Sequence, residues 1–279
     1  MLACAHCDGA LKLPAPHDAK LDCAQCGTQF TRTDRGVWDF RGHNDGPRPL
    51  SIFEEPEFRR WVEIFGTLEI RDWKIYDSPF KRFFSQAGHR KVARELRRRM
   101  MADDWVIEVG AAGGELLNHI DCQNYIGIDT NLNALENMAQ NIPGKILVCT
   151  SGGRLPLIAN SVKYLVALHT LEHIYLLGEF LEDVGRVLML GGRFMYAIPC
   201  EGGLPFALGR VLVTGPHLRK KYGLDVNYVM SREHINDANR VLKFVRMYFP
   251  RSRWNYWPIR FLHFHNANAM IWGECKKIH

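Results

Sequence analysis

The sequence has no apolar run close to the roughly 20 residues that a membrane-spanning helix requires. Its first residues, Met-Leu-Ala-Cys-Ala-His-Cys, have neither the charged start nor the apolar centre of a signal peptide. Neither sign of charge predominates strongly, since 36 basic and 30 acidic residues leave a formal net charge of only +6. That excess is too small to indicate nucleic acid without a basic patch. These absences predict a cytoplasmic globular protein, and they leave peripheral membrane contact open.

Disulfide bonds are not expected despite eight cysteines, because the chain shows no export signal. Four of the cysteines form two C-x-x-C motifs with fifteen residues between them, Cys4-Ala-His-Cys7 and Cys23-Ala-Gln-Cys26. This spacing is typical of a structural Zn²⁺ site with four thiolate ligands. About forty residues bury too little apolar area to fold without such a site. Residues 1–40 are therefore predicted to form a zinc ribbon.

A closed shell of four thiolates leaves no coordination position for a substrate, so we expect this ribbon to serve structure or partner docking. His6 and His17 are alternative ligands. A redox-active C-x-x-C pair is the alternative to a metal site.

The dinucleotide-binding pattern G-x-G-x-x-G is also missing, because position 112 is an alanine. A related stretch spans residues 105–117. Its β-branched run around Val106 predicts a buried strand, its glycines at 110, 113 and 114 predict a turn, and Glu115 is expected to begin a helix. Such a strand, turn and helix form a backbone surface that a nucleotide-like ligand approaches closely. A glycine turn that serves packing alone is the alternative.

A second short strand is predicted at Tyr125–Asp129, and it ends in a carboxylate. About twenty residues after the glycine turn of a doubly wound sheet, a carboxylate is placed to accept hydrogen bonds from ribose hydroxyls. The alternative role of Asp129 is to cap a helix over residues 131–140, and the two roles are compatible. Residues 145–149 and 160–168 predict the next two strands.

Further pieces follow in order: Leu155-Pro-x3-Asn-Ser, a strand, His169-Thr-Leu-Glu-His173, and then Arg186-Val-Leu-Met-Leu-Gly-Gly-Arg. With the glycine turn and Asp129, this series resembles the class I S-adenosylmethionine-dependent methyltransferases of the ubiquinone-biosynthesis type, over roughly residues 105–200. The resemblance implies an α/β fold with a Rossmann-like, doubly wound, seven-stranded sheet. An N-terminal zinc-ribbon module and a helical lid would accompany that sheet.

The same resemblance implies which residues hold S-adenosylmethionine. In this family an acidic residue and the glycine turn hold the methionine end of the cofactor. Ser151 departs from the family pattern, since an acidic residue there commonly reaches the adenine amino group. We expect backbone groups and neighbours such as Leu155 to contact adenine instead. The positions that match cofactor-binding positions are Glu108, Gly110, Ala111, Ala112, Gly114, Asp129, Thr130, Ser151, Gly152 and His169.

Candidate catalytic residues follow the fourth strand of this core. Methyl transfer requires alignment and, for some acceptors, a general base. His169, Glu172 and His173 lie at the predicted strand end, where such sheets bind ligands. Glu172 and His173 could equally cap or brace the following helix. His234 is a fourth catalytic candidate, in an Arg-Glu-His stretch that is predicted either to contact the acceptor or only to stabilise a lid.

Three parts are predicted: a zinc ribbon at 1–40, a linker and helical lid at 41–104, and a methyltransferase domain at 105–279. The 279 residues are enough for one α/β domain and a small appendage. In the part from 41 to 104, Ser51 and Glu54 fit a capping box at the start of a helix. Residues 73–80 are the segment most suited to cover the site, and a second helix is predicted over residues 80–101. Near the end of the chain, Ser231 predicts a helix cap, and strands near 252–257 and 267–274 are expected to form a reversed hairpin.

The leading functional hypothesis is methyl transfer to oxygen of a small-molecule, glycan-type or natural-product-type acceptor. The first alternative is rRNA base methylation, which draws on the zinc ribbon and on the basic residues of segment 81–99, although an Asn-Pro-Pro-Tyr-type motif is missing. The second is a non-catalytic scaffold subunit with a cofactor fold. Basic residues 217–221 are predicted to hold an acceptor phosphate or to lie against a membrane surface.

Overall fold

One sheet organises the protein, for which a computed structural model describes residues 1–42, 55–67, 86–201 and 203–278. Its strands are β1 (Lys20–Asp22), β2 (Gln29–Arg32), β3 (Trp38–Asp39), β4 (Val106–Val109), β5 (Tyr125–Asp129), β6 (Ile146–Cys149), β7 (Val162–Leu168), β8 (Leu188–Pro199), β9 (Arg253–Trp257) and β10 (Met270–Lys276).

The described helices lie on both faces and at one end of this sheet. The α-helices are α1 (Pro56–Thr67), α2 (Ala87–Arg97), α3 (Leu132–Asn141), α4 (Leu177–Val187), α5 (Leu204–Gly209), α6 (Gly215–Tyr222), α7 (Val226–Glu233) and α8 (Ala238–Tyr248). A π-helical turn, Arg210–Thr214, joins α5 to α6. Three short 3₁₀ helices are Glu115–Asn118, Leu171–His173 and His265–Ala267. None of the described helices is both long and apolar enough to cross a bilayer.

The strand order is β1-β2-β3-β6-β5-β4-β7-β8-β10-β9. Strands β6, β5, β4, β7 and β8 run parallel, whereas β10 is antiparallel to both β8 and β9, as the predicted reversed hairpin requires. The chain order reverses at β4, because β5 and β6 follow on one side and β7 and β8 on the other. Doubly wound sheets bind ligands at the carboxyl ends of the strands beside such a switch point.

The predicted strand number of seven is wrong, since the sheet has ten strands. The three additional strands, β1 to β3, come from the cysteine-rich N-terminal segment. Trp38 and Asp39 of β3 pair in parallel with Val148 and Cys149 of β6. Without them, β6 would be an edge strand with unpaired backbone groups. The pairing could not be foreseen because a two-residue strand leaves no periodic pattern.

The N-terminal segment also contributes to the main hydrophobic core. Its first residues run beside residues 156–158, where the Ala3 amide donates to the Pro156 carbonyl over 2.9 Å. Phe30 and Phe40 stack at 4.0 Å between ring centroids and are fully buried. They share one apolar cluster with Ile126 of β5. The cysteine-rich module is therefore joined to the sheet by backbone hydrogen bonds and by packing.

Alternate residues of the central strands point to opposite faces of the sheet. Ile107 of β4 packs in the cluster that contains α4, α8 and the cysteine-rich module. Val106, its neighbour, packs in a second cluster with α2 and α3. A third cluster joins α1 to α6 and α7 through Phe58, Trp61 and Leu218.

Three local predictions differ from the structure. The helix expected from Glu115 is a single 3₁₀ turn, because only ten residues separate Gly114 from β5. The sequence also predicts a ribbon strand at residues 11–13, but these residues form no strand, and the neighbouring Ala10 makes an isolated bridge to Ala3. Ser231 is not a helix cap, because it lies inside α7, where its hydroxyl donates to the Tyr228 carbonyl. The N-cap residues of α7 and α8 are Asp225 and Asp237.

Part of the predicted lid cannot be compared with the structure. Ser51, Glu54 and segment 73–80 lie outside the described residues. The helix expected over 80–101 is described from residue 86 onward, and there it spans Ala87–Arg97.

Candidate functional site

The glycine loop follows β4 at the switch point. Gly110 has a φ of +73°, and a Cβ there would lie 2.2 Å from Oγ1 of Thr170, the second residue after β7. Only glycine satisfies both the backbone conformation and this close approach. Gly114 has a φ of +79° and lies against the side chain of Met138. The loop is therefore compressed between the β7 end and α3.

Ala112 and Asp129 join this loop to the end of β5. Ala112 has a φ of +41°, a conformation that usually costs a residue with a Cβ about 1–2 kcal/mol. Its amide donates to Oδ2 of Asp129 over 2.8 Å, while Oδ1 of Asp129 accepts from the Asn131 amide over 2.8 Å. Asn131, not Asp129, caps α3 by accepting from Ala134.

Asp129 keeps hydrogen-bonding capacity for a ligand. Each carboxylate oxygen has two acceptor positions, and the backbone amides of Ala112 and Asn131 occupy one on each. Burial raises the pKa of Asp129, while these backbone hydrogen bonds lower it. Donors such as ribose hydroxyls would complete the remaining positions.

Glu108 lies beneath the loop in the protein interior. It is 2% exposed and accepts a hydrogen bond of 2.5 Å from the hydroxyl of Tyr125 on β5. Burial raises the pKa of Glu108 to about 8, which favours its protonated form at neutral pH. In this arrangement the side chain braces β4 against β5.

The far side of the cleft follows β6. Ser151 Oγ accepts from the amide of Gly42, two residues beyond the cysteine-rich module, over 3.3 Å. Gly152 has a φ of +84°, and a Cβ there would lie 3.3 Å from the methyl group of Thr130. The chain that leaves the module thus contacts the segment for which the sequence predicts adenine contact.

His169 follows β7 at the opposite side of the loop. Its φ of +53° is rare for a residue with a side chain, and its amide donates to the Ala197 carbonyl over 2.8 Å. Such backbone strain is concentrated at functional sites. The Nδ1 atom of His169 lies 3.8 Å from Oε1 of Glu172.

Two further histidines, neither predicted from the sequence, extend this group: His89 lies beside His169, and His119 lies beside His89. The His89 ring, at the start of α2, lies 5.7 Å from the His169 ring and 6.4 Å from that of His119. Burial and the neighbouring histidines lower the pKa of His89 to about 3, so its ring is neutral at physiological pH. No local motif marks either residue, because they come from segments that meet only in the folded chain.

Three buried polar atoms in this region have no hydrogen-bond partner among the described residues: His89 Nδ1, His119 Nε2 and Glu172 Oε2. Glu172 itself is 2% exposed. Buried polar atoms in folded proteins nearly always have a partner, so such a concentration indicates a place for a polar ligand or ordered water. The donor and acceptor types here fit a cofactor that carries an amino group, a carboxylate and hydroxyls.

His173 forms a charged pair with Glu233. Its Nδ1 donates to the Glu233 carbonyl over 2.8 Å, and the Glu233 carboxylate lies 3.5 Å away and accepts from Trp61 Nε1 over 2.8 Å. Burial lowers the pKa of His173, but Glu233 and Glu172 outweigh it and raise that pKa to about 9. A histidine that is protonated at neutral pH is poorly suited to act as a general base.

His234 is held by a different carboxylate, that of Glu201. The Nδ1 atom of His234 hydrogen-bonds to Oε2 of Glu201, and Arg210 donates to Oε1 over 3.0 Å. The His234 ring meets that of His173 edge-on at 4.7 Å. Since a carboxylate only accepts, Nδ1 carries the proton and Nε2 remains an acceptor in the neutral ring.

Glu201 was absent from the residues predicted from sequence. Its position offered a signal, because it is the first carboxylate after β8 and follows a parallel strand at its carboxyl end. Arg232, by contrast, is engaged in the lid: its guanidinium contacts Glu55 at 2.6 Å, before α1. The Arg-Glu-His stretch therefore divides between lid contacts and the polar site.

The four predicted metal ligands converge. The Sγ atoms of Cys4, Cys7, Cys23 and Cys26 all lie within 4.8 Å of one another. Two of these Sγ–Sγ distances, Cys4–Cys26 and Cys7–Cys23, are 3.7 and 3.6 Å. Zn–S bonds of about 2.3 Å in a tetrahedron place neighbouring sulfurs about 3.8 Å apart, so this donor set fits Zn²⁺.

Both C-x-x-C motifs have the same turn. The amides of Asp8 and Gly27, each four residues after the first cysteine of its motif, donate to the carbonyls of Cys4 and Cys23. Both residues have a positive φ, of 60° and 75°. The matching turns aim both pairs of thiols at one point.

Comparisons of this chain with protein families and with solved structures agree with this architecture. Residues 107–196 match a family described as a methyltransferase domain. No curated protein matches the sequence. Among solved structures, the chain is similar to the Haemonchus contortus phosphoethanolamine N-methyltransferase 2 in complex with phosphomonomethylethanolamine and S-adenosylhomocysteine. The TM-score is 0.51 at 12% identity, covering 85% of this chain and 61% of that chain.

Two further solved structures give the same TM-score of 0.51. One is the CMeT domain of the citrinin polyketide synthase, at 16% identity over 85% of this chain and 61% of that chain. The other is the CurJ carbon methyltransferase, at 13% identity over 74% and 57%. The chain thus spans about three fifths of the length of these structures, and the likeness concerns the fold. Together with the strand order and the family match over residues 107–196, it shows that this chain has the α/β, Rossmann-like fold of such domains.

Proposed function

We propose that this protein is an S-adenosylmethionine-dependent methyltransferase that acts on oxygen of a small-molecule, glycan-type or natural-product-type acceptor. One observation carries the proposal: the glycine loop, Asp129 and His169 meet at the carboxyl edge of the sheet, where the Ala112 amide is bonded to Asp129. His89 and Glu172, which each have a buried polar atom without a partner among the described residues, lie beside His169. In three parts, residues 1–40 form the structural zinc ribbon, 41–104 the linker and lid, and 105–279 the catalytic domain.

The proposed cofactor site uses the backbone of the loop more than side chains. Gly110, Ala111, Ala112 and Gly114 would lie against the methionine end, Asp129 and Thr130 against the ribose, and Ser151 and Gly152 near the adenine. Glu108 of β4 is joined to β5 by the hydrogen bond from Tyr125. S-adenosylmethionine supplies a methyl group already activated by its positively charged sulfur, so the protein mainly provides alignment.

Calorimetry with S-adenosylmethionine and S-adenosylhomocysteine tests this site. We expect dissociation constants on the order of 1–100 μM, the usual range for enzyme ligands. Asp129→Asn should lower the affinity for both molecules at least tenfold, because an amide offers fewer acceptor positions than a carboxylate. The exposed Asp121→Asn is the matched control and should bind as the unaltered protein does. If the unaltered protein binds neither molecule, the scaffold alternative replaces the enzyme.

Oxygen is favoured as the acceptor atom because the site contains a histidine that can accept a proton. Oε2 of Glu201 hydrogen-bonds to Nδ1 of His234 and Oε1 accepts from Arg210, so the carboxylate fixes the orientation of the imidazole ring. A hydroxyl acceptor loses its proton during methyl transfer, and Nε2 of His234 is the atom we propose receives it. Glu201 is then a positioning residue.

Glu201→Ala tests this role. Methyl transfer from radiolabelled S-adenosylmethionine to a panel of phenols and sugar hydroxyls should fall about 100-fold or more, the usual contribution of general-base catalysis. Affinity for S-adenosylhomocysteine should change less than twofold. In ¹⁵N NMR spectra, His234 should lose its exclusive Nδ1–H form. Labelling of amines alone, or an unchanged rate with hydroxyl acceptors, would refute the proposed base.

The rRNA alternative has less support from the described residues. The described part of its basic segment, residues 86–99, comprises α2 and the residues on either side of it. Arg98 and Arg99 there pair with Glu95, and Arg99 also contacts Glu274. These ion pairs reduce the positive field that a phosphate backbone requires.

A further inference from the structure

The helical segment after Glu201 exposes large apolar side chains. Leu204, Leu208, Val211 and Leu212 are 61%, 58%, 67% and 70% exposed. Their spacing of four, three and one residues places them along one side of the helical segment that runs from α5 through the π turn. A helix in a globular protein normally buries such a side.

A neighbouring loop extends this surface. Phe261 and Phe264 are 84% and 57% exposed, and Leu262 is 44% exposed. The two segments are in contact, since the Leu204 amide donates to Asn266 Oδ1 over 3.0 Å. We call these seven side chains, four on the helical segment and three on the loop, the apolar patch. Exposed patches of this kind mark interaction surfaces.

The charges around the apolar patch indicate its partner. Residues 203–222 and 258–270 contain five Lys and Arg residues and no Asp or Glu. Arg219, Lys220, Lys221 and Arg260 are all exposed. Exposed leucine and phenylalanine beside lysine and arginine are the composition of helices that lie in the interface of an anionic bilayer.

We propose that the apolar patch docks this protein on an anionic lipid surface. Leu208, Leu212 and Phe261 enter the interface, and the cations from Arg219 to Lys221 contact lipid phosphates. A symmetric contact with a second copy would bring these like charges together, which disfavours self-association through this surface. Because Arg210 of the same segment bonds to Glu201, docking places the polar site next to the bilayer. The proposal is independent of the methyl-transfer reaction.

Vesicle co-sedimentation of the full chain tests the proposal. The protein should sediment with vesicles of phosphatidylglycerol and phosphatidylcholine, less so at high salt, and poorly with phosphatidylcholine alone. Leu208→Glu combined with Leu212→Glu should reduce binding at least tenfold. Lys220→Glu combined with Lys221→Glu should also reduce binding to the anionic vesicles at least tenfold. Met247→Glu is the matched control, since Met247 is 71% exposed but lies on α8, and it should leave binding unchanged.

Folding of each variant is checked by its melting temperature, which should not change because the altered side chains are exposed. Light scattering without vesicles gives the oligomeric state. Failure of the unaltered protein to sediment would overturn the proposal, as would full binding by the double leucine variant. A larger oligomer that the leucine variant converts to monomer, without lipid binding, would show instead that the apolar patch joins copies of this chain.

Discussion

Gly110→Ala is expected to destabilise the protein by roughly 2–5 kcal/mol, the sum of an overpacked contact and a left-handed alanine. The added Cβ would meet Oγ1, Cγ2 and Cβ of Thr170 at 2.2, 2.7 and 3.0 Å. Thr170 cannot move alone, since its hydroxyl donates to the carbonyl of Val109 or Leu168. We expect affinity for S-adenosylmethionine to fall as well, because the displaced loop is the proposed cofactor surface. Urea unfolding and calorimetry measure the two effects.

Two alanine–glycine exchanges serve as controls. Gly185→Ala in α4 has no atom within 4 Å of the new Cβ and should stabilise the protein by up to about 1 kcal/mol. Ala112→Gly, two residues beyond Gly110, should also stabilise it by about 1 kcal/mol, because glycine accepts the φ of +41°.

A double variant isolates the contact itself. When Thr170→Gly is combined with Gly110→Ala, the double variant should recover most of the unfolding free energy that overpacking costs. The cost of the backbone strain at position 110 should remain. An unfolding free energy of Gly110→Ala equal to that of the unaltered protein would contradict the compressed loop.

Removal of Zn²⁺ is expected to have the largest effect on the chain as a whole. The purified protein should contain one Zn²⁺, and a strong chelator or Cys4→Ser with Cys7→Ser should remove it. The module would then release Phe30, Trp38 and Phe40, each worth about 2–3 kcal/mol of burial. The expected loss is on the order of 5–10 kcal/mol, which is comparable to the stability of a whole domain.

The same treatment should weaken cofactor binding. Loss of the module exposes the edge of β6 and removes the contact of Gly42 with Ser151. Thermal unfolding, elemental analysis and calorimetry report stability, metal content and cofactor affinity. Cys122→Ser is the matched control, because Cys122 lies outside the cluster and a hydroxyl can keep its hydrogen bond to the Asn124 carbonyl. A metal-free protein with an unchanged melting temperature would argue against a structural ion, and a disulfide within a motif would favour the redox alternative.

The sequence by itself determined those features that depend on residues close together in the chain. The spacing of Cys4, Cys7, Cys23 and Cys26 predicts a cluster of thiols because each C-x-x-C turn positions its own pair, and the structure brings all four within 4.8 Å. The glycine loop was also recognisable, because an apolar strand followed by glycines at 110, 113 and 114 is typical of a turn that uses positive φ. Asp129 was identifiable from its place at a strand end.

Only the tertiary structure decided which distant segments meet. The pairing of β3 with β6 depends on an open sheet edge and leaves no periodic signal in two residues. The Glu201–His234 pair joins residues 33 positions apart, and His89 reaches His169 from another element, on α2. Sequence patterns indicate which residues have side chains suited to binding or catalysis. Long-range packing determines which of them lie within hydrogen-bonding distance, and for that reason Glu201 and His89 became recognisable only in the folded chain.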